Sequence, residues 1–265
     1  MVAGYKKSIT EKTEEFYQDV AMGHYAPNWS IVTKFGRNPT VANGAWELIA
    51  NLSVIYTWPQ APTTVRVKAG GNPADTIDGV GARTLRIYGI DSTATKFIYE
   101  DVELAGASAS ASTTQEFWRV HRGIVQTAGS YVNPTNTGTI TVEDTAGTAN
   151  LLQIDPLESQ TQLLAYSLPT GISANLLGFE SHVEATKPAN IRILYRPNFT
   201  NVTVPVDSTR MIFFEAGVDG GTQNLPPAPM DRLDGPCDLW IEAYGSGAQT
   251  AVSGAFQLFQ YPTPT

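Results

Sequence analysis

Leu163-Leu-Ala-Tyr-Ser-Leu-Pro-Thr-Gly-Ile-Ser-Ala-Asn-Leu-Leu-Gly-Phe179 sets two apolar runs on either side of Pro169, Thr170 and Gly171. Proline holds φ at about −65° and glycine accepts positive φ, so the triplet reads as a tight turn between two strands. Further on, Asp238-Leu-Trp-Ile-Glu-Ala-Tyr244, a Gly-Ser-Gly turn and Val252-Ser-Gly-Ala-Phe-Gln-Leu-Phe259 repeat the pattern. Two such hairpins with a variable middle predict a β-sandwich.

Working outward, Arg83-Thr-Leu-Arg-Ile-Tyr88 alternates in the period of a half-buried strand, with Leu85 and Ile87 on one face. Gly89 to Thr93 makes a turn and Lys96 to Leu104 returns, which predicts a second clear hairpin. Val65–Lys68 and Ile191–Arg196 alternate in the same way, and Gly138–Glu143 pairs with Leu151–Ile154 around a polar turn. Gln115–Arg122 and Ile124–Thr127 read as strands divided by Gly123, and Val202–Val206 and Met211–Glu215 as two more. The Ser, Ala and Thr of Gly106–Thr114 offer no large anchor, so that stretch is expected to be a surface loop. Gly217–Arg232, with Pro226, Pro227 and Pro229, is a long loop of the kind that meets a partner.

Residues 1–30 differ. Ser8-Ile-Thr-Glu11 has capping-box spacing, Phe16, Tyr17 and Val20 fall on one helical face, and Gly23 stops the run. A helix that short is marginal alone, so its aromatic face must dock on something. The expected organisation is all-β: an N-terminal arm (1–30) and two tandem β-sandwich or jelly-roll-like domains, 31–156 and 157–265.

Composition narrows function by exclusion. Of 265 residues, 42% are hydrophobic and 10% aromatic, ample for a core. Only 16% are charged, against roughly 25% in an average soluble domain; Thr, Ser, Asn and Gly replace them. Such a surface suits a β-rich protein packed against other subunits. The net charge of −8 comes with no basic run longer than Lys6-Lys7. Nucleic-acid binding needs clustered Lys and Arg, so no nucleic-acid partner is expected. The single cysteine, Cys237, excludes an intrachain disulfide framework and reads as a small buried residue at a strand end. No leader-like segment and no long apolar run is present, so neither secretion by that route nor a membrane span is expected.

Catalytic patterns are weak. His24, His121 and His182 lie far apart, without metal-ligand spacing. No Gly-x-Ser-x-Gly elbow occurs, and Cys237 has no nearby histidine. The acidic groups Glu100, Asp101 and Glu103, and Glu143 with Asp144, read as solvated strand faces or turns. Asp75, Asp78 and Asp219 fall short of a calcium-loop pattern. Trp29, Trp46, Trp58, Trp118 and Tyr244 would make a sugar-stacking platform if exposed, but aromatics in strand patterns usually belong to cores; Trp46 and Trp58, near turns, are the expected exceptions. No enzyme, cofactor or metal site is predicted.

Val32-Thr-Lys-Phe-Gly-Arg-Asn-Pro39, Gly81-Ala-Arg-Thr-Leu-Arg-Ile-Tyr-Gly-Ile-Asp91 and Val102-Glu-Leu, with Tyr166-Ser-Leu-Pro-Thr-Gly171 and the Val252–Phe259 run, resemble virion structural proteins of tailed, marine podovirus-like bacteriophages. The resemblance covers about residues 31–260 and leaves the arm outside. It implies a non-enzymatic virion component, with a capsid decoration (cement) protein on the capsid surface as the favoured form. The implied partners are the major capsid protein and further copies of the chain, as a homotrimer. Phe16, Tyr17, Tyr25 and Trp29 would then anchor the arm on a neighbour. The alternative is a sugar- or receptor-binding module of a head fibre or tail, acting through Gly106–Thr114 and Gly217–Arg232.

Overall fold

The computed structural model describes residues 18–20, 22–23, 29–52, 56–184, 187–219, 222–225, 232–247 and 249–264. In chain order its first half holds β1 (Ser30–Val41), β2 (Glu47–Leu48), β3 (Val65–Lys68), β4 (Ala82–Asp91), β5 (Phe97–Glu103), β6 (Phe117–Ala128), β7 (Ile140–Asp144) and β8 (Asn150–Ile154). The second half adds β9 (Ala165–Leu168), β10 (Ile172–Val183), β11 (Ala189–Pro197), β12 (Arg210–Val218), β13 (Thr222–Leu225), β14 (Leu233–Asp234), β15 (Cys237–Gly245) and β16 (Thr250–Pro262). The expected all-β class holds. Of the arm, Gln18–Val20 are helical and Gly23 ends the turn at φ +74°. Phe16, Tyr17 and Tyr25 lie outside the described residues.

Two sheets make the main body. One runs β1-β16-β10-β13 with β14 also on β10; the other runs β12-β11-β15-β2 with β9 also on β15. Between them lies a core that includes Phe179, Phe256, Ile191, Ile193, Ile241 and Leu258. The chain crosses from sheet to sheet between β1 and β2, β9 and β10, β10 and β11, β12 and β13, β14 and β15, and β15 and β16, while β11 and β12 pair within one sheet. The first strand pairs with the last, Val32 facing Leu258 and Phe35 facing Ala255. With β2 and β9 counted as one interrupted strand along β15, and β13 and β14 as one along β10, the ten segments make eight strands wired as the double Greek key of a jelly roll.

The second body is inserted into one strand of that jelly roll. Leu48 pairs with Glu242 and Ala165 with Trp240. At the position between them, Ile49 N donates to Ile241 O at 3.0 Å and Ile241 N donates to Leu164 O at 3.1 Å. Strand β2 therefore continues as β9 after the 114 intervening residues 50–163. The excursion leaves through a neck in which Ala50 bridges Leu163 and Asn51 N donates to Gln162 O at 2.9 Å. Beyond the neck, sheets β3-β7-β8 and β5-β4-β6 enclose their own core around Val67, Leu85, Ile87, Phe117 and Ile140.

Three expectations are corrected. Residues 30–49, expected in the first domain, pair with strands of the C-terminal body. The turns at 169–171 and 245–249 do not make hairpins. Strand β9 pairs with β15 and β10 with β16, so each turn carries the chain from one sheet across to the other. Gly171 adopts φ +82° as the turn requires. A short turn between apolar runs can serve either geometry, and β9 is buried along its whole length, so no alternation marks its sheet. Val202–Val206 form no strand and are exposed, Val204 at 83%; Pro205 has no N–H to give a ladder.

The Gly106–Thr114 loop is exposed at Ala107, Ser108, Ala111, Ser112 and Thr114, as expected of a surface loop, but two of its residues turn inward. Ser110 and Thr113 are buried, and their hydroxyls accept the N–H groups of Val67 (2.9 Å) and Val65 (3.0 Å). Backbone bonds return from Ser110 N to Val67 O and from Thr113 N to Val65 O. Small polar residues here complete the free edge of β3, satisfying donors that burial would otherwise strand.

Candidate functional site: the seam between the two bodies and the outer aromatic face

A buried ion pair joins the bodies. Arg119 of β6 donates from Nε to Asp238 Oδ1 at 2.9 Å and from Nη2 to Oδ2 at 3.0 Å. Asp238, at the start of β15, also accepts from the Ser167 hydroxyl at 2.6 Å, with Arg196 Nη1 at 3.5 Å. Arg119 Nη1 donates to Pro59 O and Trp118 O, and its guanidinium lies 4.4 Å from the Phe199 ring centre. Trp58, half-buried, packs on Trp240 beside it. The sequence contained one signal: Arg119 sits in Phe117-Trp-Arg-Val120, and a charge inside so apolar a run is almost never fully buried unless paired.

Next to this seam is a cavity of about 330 Å³ lined from both bodies. β1 and β9 supply Ile31, Val32 and Tyr166; the inserted sheet supplies Phe97, His121 and Arg122. The His121 ring stands 4.8 Å from Tyr166, and Phe97 lies 6.0 Å from His121 and 5.9 Å from Tyr166. Tyr166 donates its hydroxyl to Gln260 Oε1 at 3.2 Å. Behind the wall, Lys34 is 2% exposed and donates from Nζ to His121 O at 2.5 Å. Burial, reinforced by Arg122, pushes the Lys34 ammonium well below its usual pKa. Burial also pushes the His121 imidazole well below the ordinary histidine range, with Lys34 and Arg122 adding to it. Both shifts go the same way because a low-dielectric wall and like charges penalise the protonated forms.

On the outer face of the β12-β11-β15 sheet a different cluster forms. Trp46 packs on Tyr244 at 5.6 Å and on Phe214 at 6.2 Å, and the Arg192 guanidinium lies 4.1 Å over its ring. Arg192 is held in place by two bonds to Glu242 Oε2, at 2.8 and 2.6 Å. Of the sequence candidates for a platform, the structure brings Trp46 and Tyr244 together on this face. Trp58 and Trp118 belong to the seam, and Trp29 packs edge-on against Phe259 at 5.3 Å on β16. Apolar exposure continues along Val202, Val204 and Val206 into β12, where Met211 is 57% and Phe214 49% exposed. Among the described residues β12 pairs only with β11 and is the edge of its sheet.

The acidic candidates have structural roles. Asp101 is clamped by Arg86 through two bonds, at 2.7 and 2.8 Å, which lowers its pKa. Glu100 accepts the N–H groups of Thr114 and Gln115, and Glu143 pairs with Arg66 and Lys68. Asp75 is fully buried and accepts from Ala82 N, Thr137 N and Gly138 N, which staples three loops together. Cys237 is 1% exposed and burial raises its thiol pKa, the opposite of an activated nucleophile. Among the described residues no three His, Cys, Asp or Glu side chains gather as a metal site.

No protein-family model matches the chain, and no curated protein matches it. Solved structures with partial overlap come from infectious bursal disease virus. The Gx strain aligns at TM-score 0.27 and 9% identity, over 94% of this chain and 77% of that one. The virus's VP2 subviral particle aligns at TM-score 0.22 and 11% identity, over 93% and 77%. The T13 viral particle aligns at TM-score 0.21 and 9% identity, over 93% and 78%. Overlap at that level is weaker than shared-fold similarity, so the jelly-roll assignment rests on strand pairing alone.

Proposed function

We propose that this chain is a non-enzymatic structural protein of a virion that assembles with capsid subunits, and within that class a decoration (cement) protein seated on the capsid surface as a homotrimer. The observation that carries this reading is the single eight-stranded jelly roll bearing an inserted second body. Jelly rolls serve viral capsid domains, and also lectins and cupins, so the surface must decide among them. That surface is poor in charge and presents an apolar edge strand, β12, beside the exposed valines of the preceding loop. An open apolar edge is a pairing surface for another chain. Asp75, Glu100, Asp101 and Glu143 are spent on structural bonds and Cys237 is buried.

Removing residues 1–28 tests the arm's part, because it leaves Trp29 on Phe259. The full chain is expected to co-sediment with particles that lack it, and the truncated chain to stay folded but remain in the supernatant. Equal binding by both would remove the arm from the account, and failure of the full chain to bind would remove the decoration role.

A second reading, a sugar- or receptor-binding module, is favoured by the Trp46–Tyr244–Phe214 cluster with Arg192 fixed beside it. Aromatic faces beside a held guanidinium suit stacking and polar contacts with a sugar ring. Saturable quenching of tryptophan fluorescence by oligosaccharides, lost in Trp46→Ala, would support it; the decoration reading predicts no such quenching.

A further inference from the structure

We propose that the cavity between the two bodies is a binding site for a small aromatic carboxylate. The cavity is independent of the assembly role, and two observations point to an anion. His121 is 7% exposed and lines the cavity, and its Nδ1 has no hydrogen-bond partner among the described residues. A buried polar nitrogen without a partner costs about 1–3 kcal/mol, and a ligand atom reaching it from the cavity would relieve that cost. Secondly, among the described residues the lining carries Arg122 and His121 and no carboxylate. Arg122 spends one N–H on Thr33 O at 2.7 Å, and a guanidinium has five donors in a fork that matches a carboxylate.

The rest of the lining selects the ligand's body. Phe97 and Tyr166 present ring faces, and Ile31, Val32, Ile98 and Ile124 close the space with apolar surface. At about 330 Å³ the cavity is at the small end of ligand sites, which run from roughly 300 to 1,000 Å³. A single ring with one carboxylate fits this lining: the ring packs against Phe97 and Tyr166, Arg122 takes the carboxylate, and the His121 nitrogen completes it.

Benzoate is the probe, with benzamide as its neutral isostere, read by ligand-observed NMR and calorimetry on the full chain. Benzoate is expected to bind saturably at one site, and benzamide about tenfold more weakly or worse. Arg122→Met and His121→Phe, each checked for an unchanged fold by circular dichroism, are expected to lose benzoate affinity by a similar factor. Equal binding of benzoate and benzamide to the unaltered protein would overturn the proposal without recourse to any variant. So would an absence of saturable binding at millimolar benzoate, or an Arg122→Met protein that folds and binds benzoate as before.

Discussion

Arg119 and Asp238 lie 119 positions apart in sequence and face each other through two hydrogen bonds, of 2.9 and 3.0 Å, across the seam between the bodies. Both are sealed from solvent, Arg119 at 1% exposure and Asp238 at 0%. A buried pair is a poor source of net stability, because desolvation opposes the attraction, but removing one member leaves a buried charge uncompensated. Arg119→Met is therefore expected to lower unfolding free energy by about 3–5 kcal/mol, read from urea denaturation. Asp238→Asn is expected to cost at least as much, because it leaves Arg119 and Arg196 without the carboxylate that both contact, whereas Arg119→Met leaves Asp238 with Arg196 and Ser167.

Gly36 tests the neck. A Cβ there would stand 2.7 Å from both Ile49 O and Leu164 N, the two ends of the hydrogen bond that closes the inserted strand. Both are backbone atoms, so neither can swing aside. Gly36→Ala is expected to cost about 1–3 kcal/mol as overpacking. Gly171→Ala, with φ +82° but open space around it, is expected to cost about 1–2 kcal/mol from backbone strain alone. Thermal melts of the two variants separate steric crowding from backbone strain; only the first should also loosen amide protection around Ile49 and Leu164.

His121 predicts the acid limb. Its folded-state pKa lies well below the usual histidine value of 6.5, so below that pH the unfolded chain binds a proton that the folded chain refuses. Stability from this group is therefore complete above the ordinary histidine range and falls as pH drops below it, by at most about 1.4 kcal/mol per pH unit. Chemical denaturation from pH 7 to 5 should show that slope in the unaltered protein and a flatter one in His121→Phe.

The insertion makes a prediction about fragments. Residues 50–163, which carry both inserted sheets and their core, are expected to unfold cooperatively on their own. Residues 157–265 are expected not to, because β16 would lose its partner β1 and β15 would lose β2. Urea titrations of the two fragments, followed by near-ultraviolet circular dichroism, check this directly.

These relationships show what the sequence could reveal. The Arg83–Leu104 hairpin was legible because Leu85 and Ile87 alternate with polar residues and a tight polar turn returns the chain; β4 and β5 pair as expected. The turn at Pro169–Gly171 was equally legible, but its partners were not. Residues that bury on both faces do not say which neighbour they face, and the pairing of β1 with β16 spans nearly the whole chain. Ser110 and Thr113 were misread for the opposite reason: small polar residues look like a solvated loop, yet their hydroxyls stand in for ladder acceptors at the edge of β3. The cavity could not be read at all, since Val32, Phe97, His121 and Tyr166 meet only through tertiary packing. Phe16, Tyr17 and Tyr25 lie outside the described residues, and their role as anchors stands as part of the proposal.

The most direct test of the proposed role is quantitative mass spectrometry of purified virions. A decoration protein is expected at a copy number comparable with that of the shell subunit, and in fixed ratio to it from one preparation to the next. Absence from purified particles, or presence at only the few copies typical of a tail or portal component, would contradict the account.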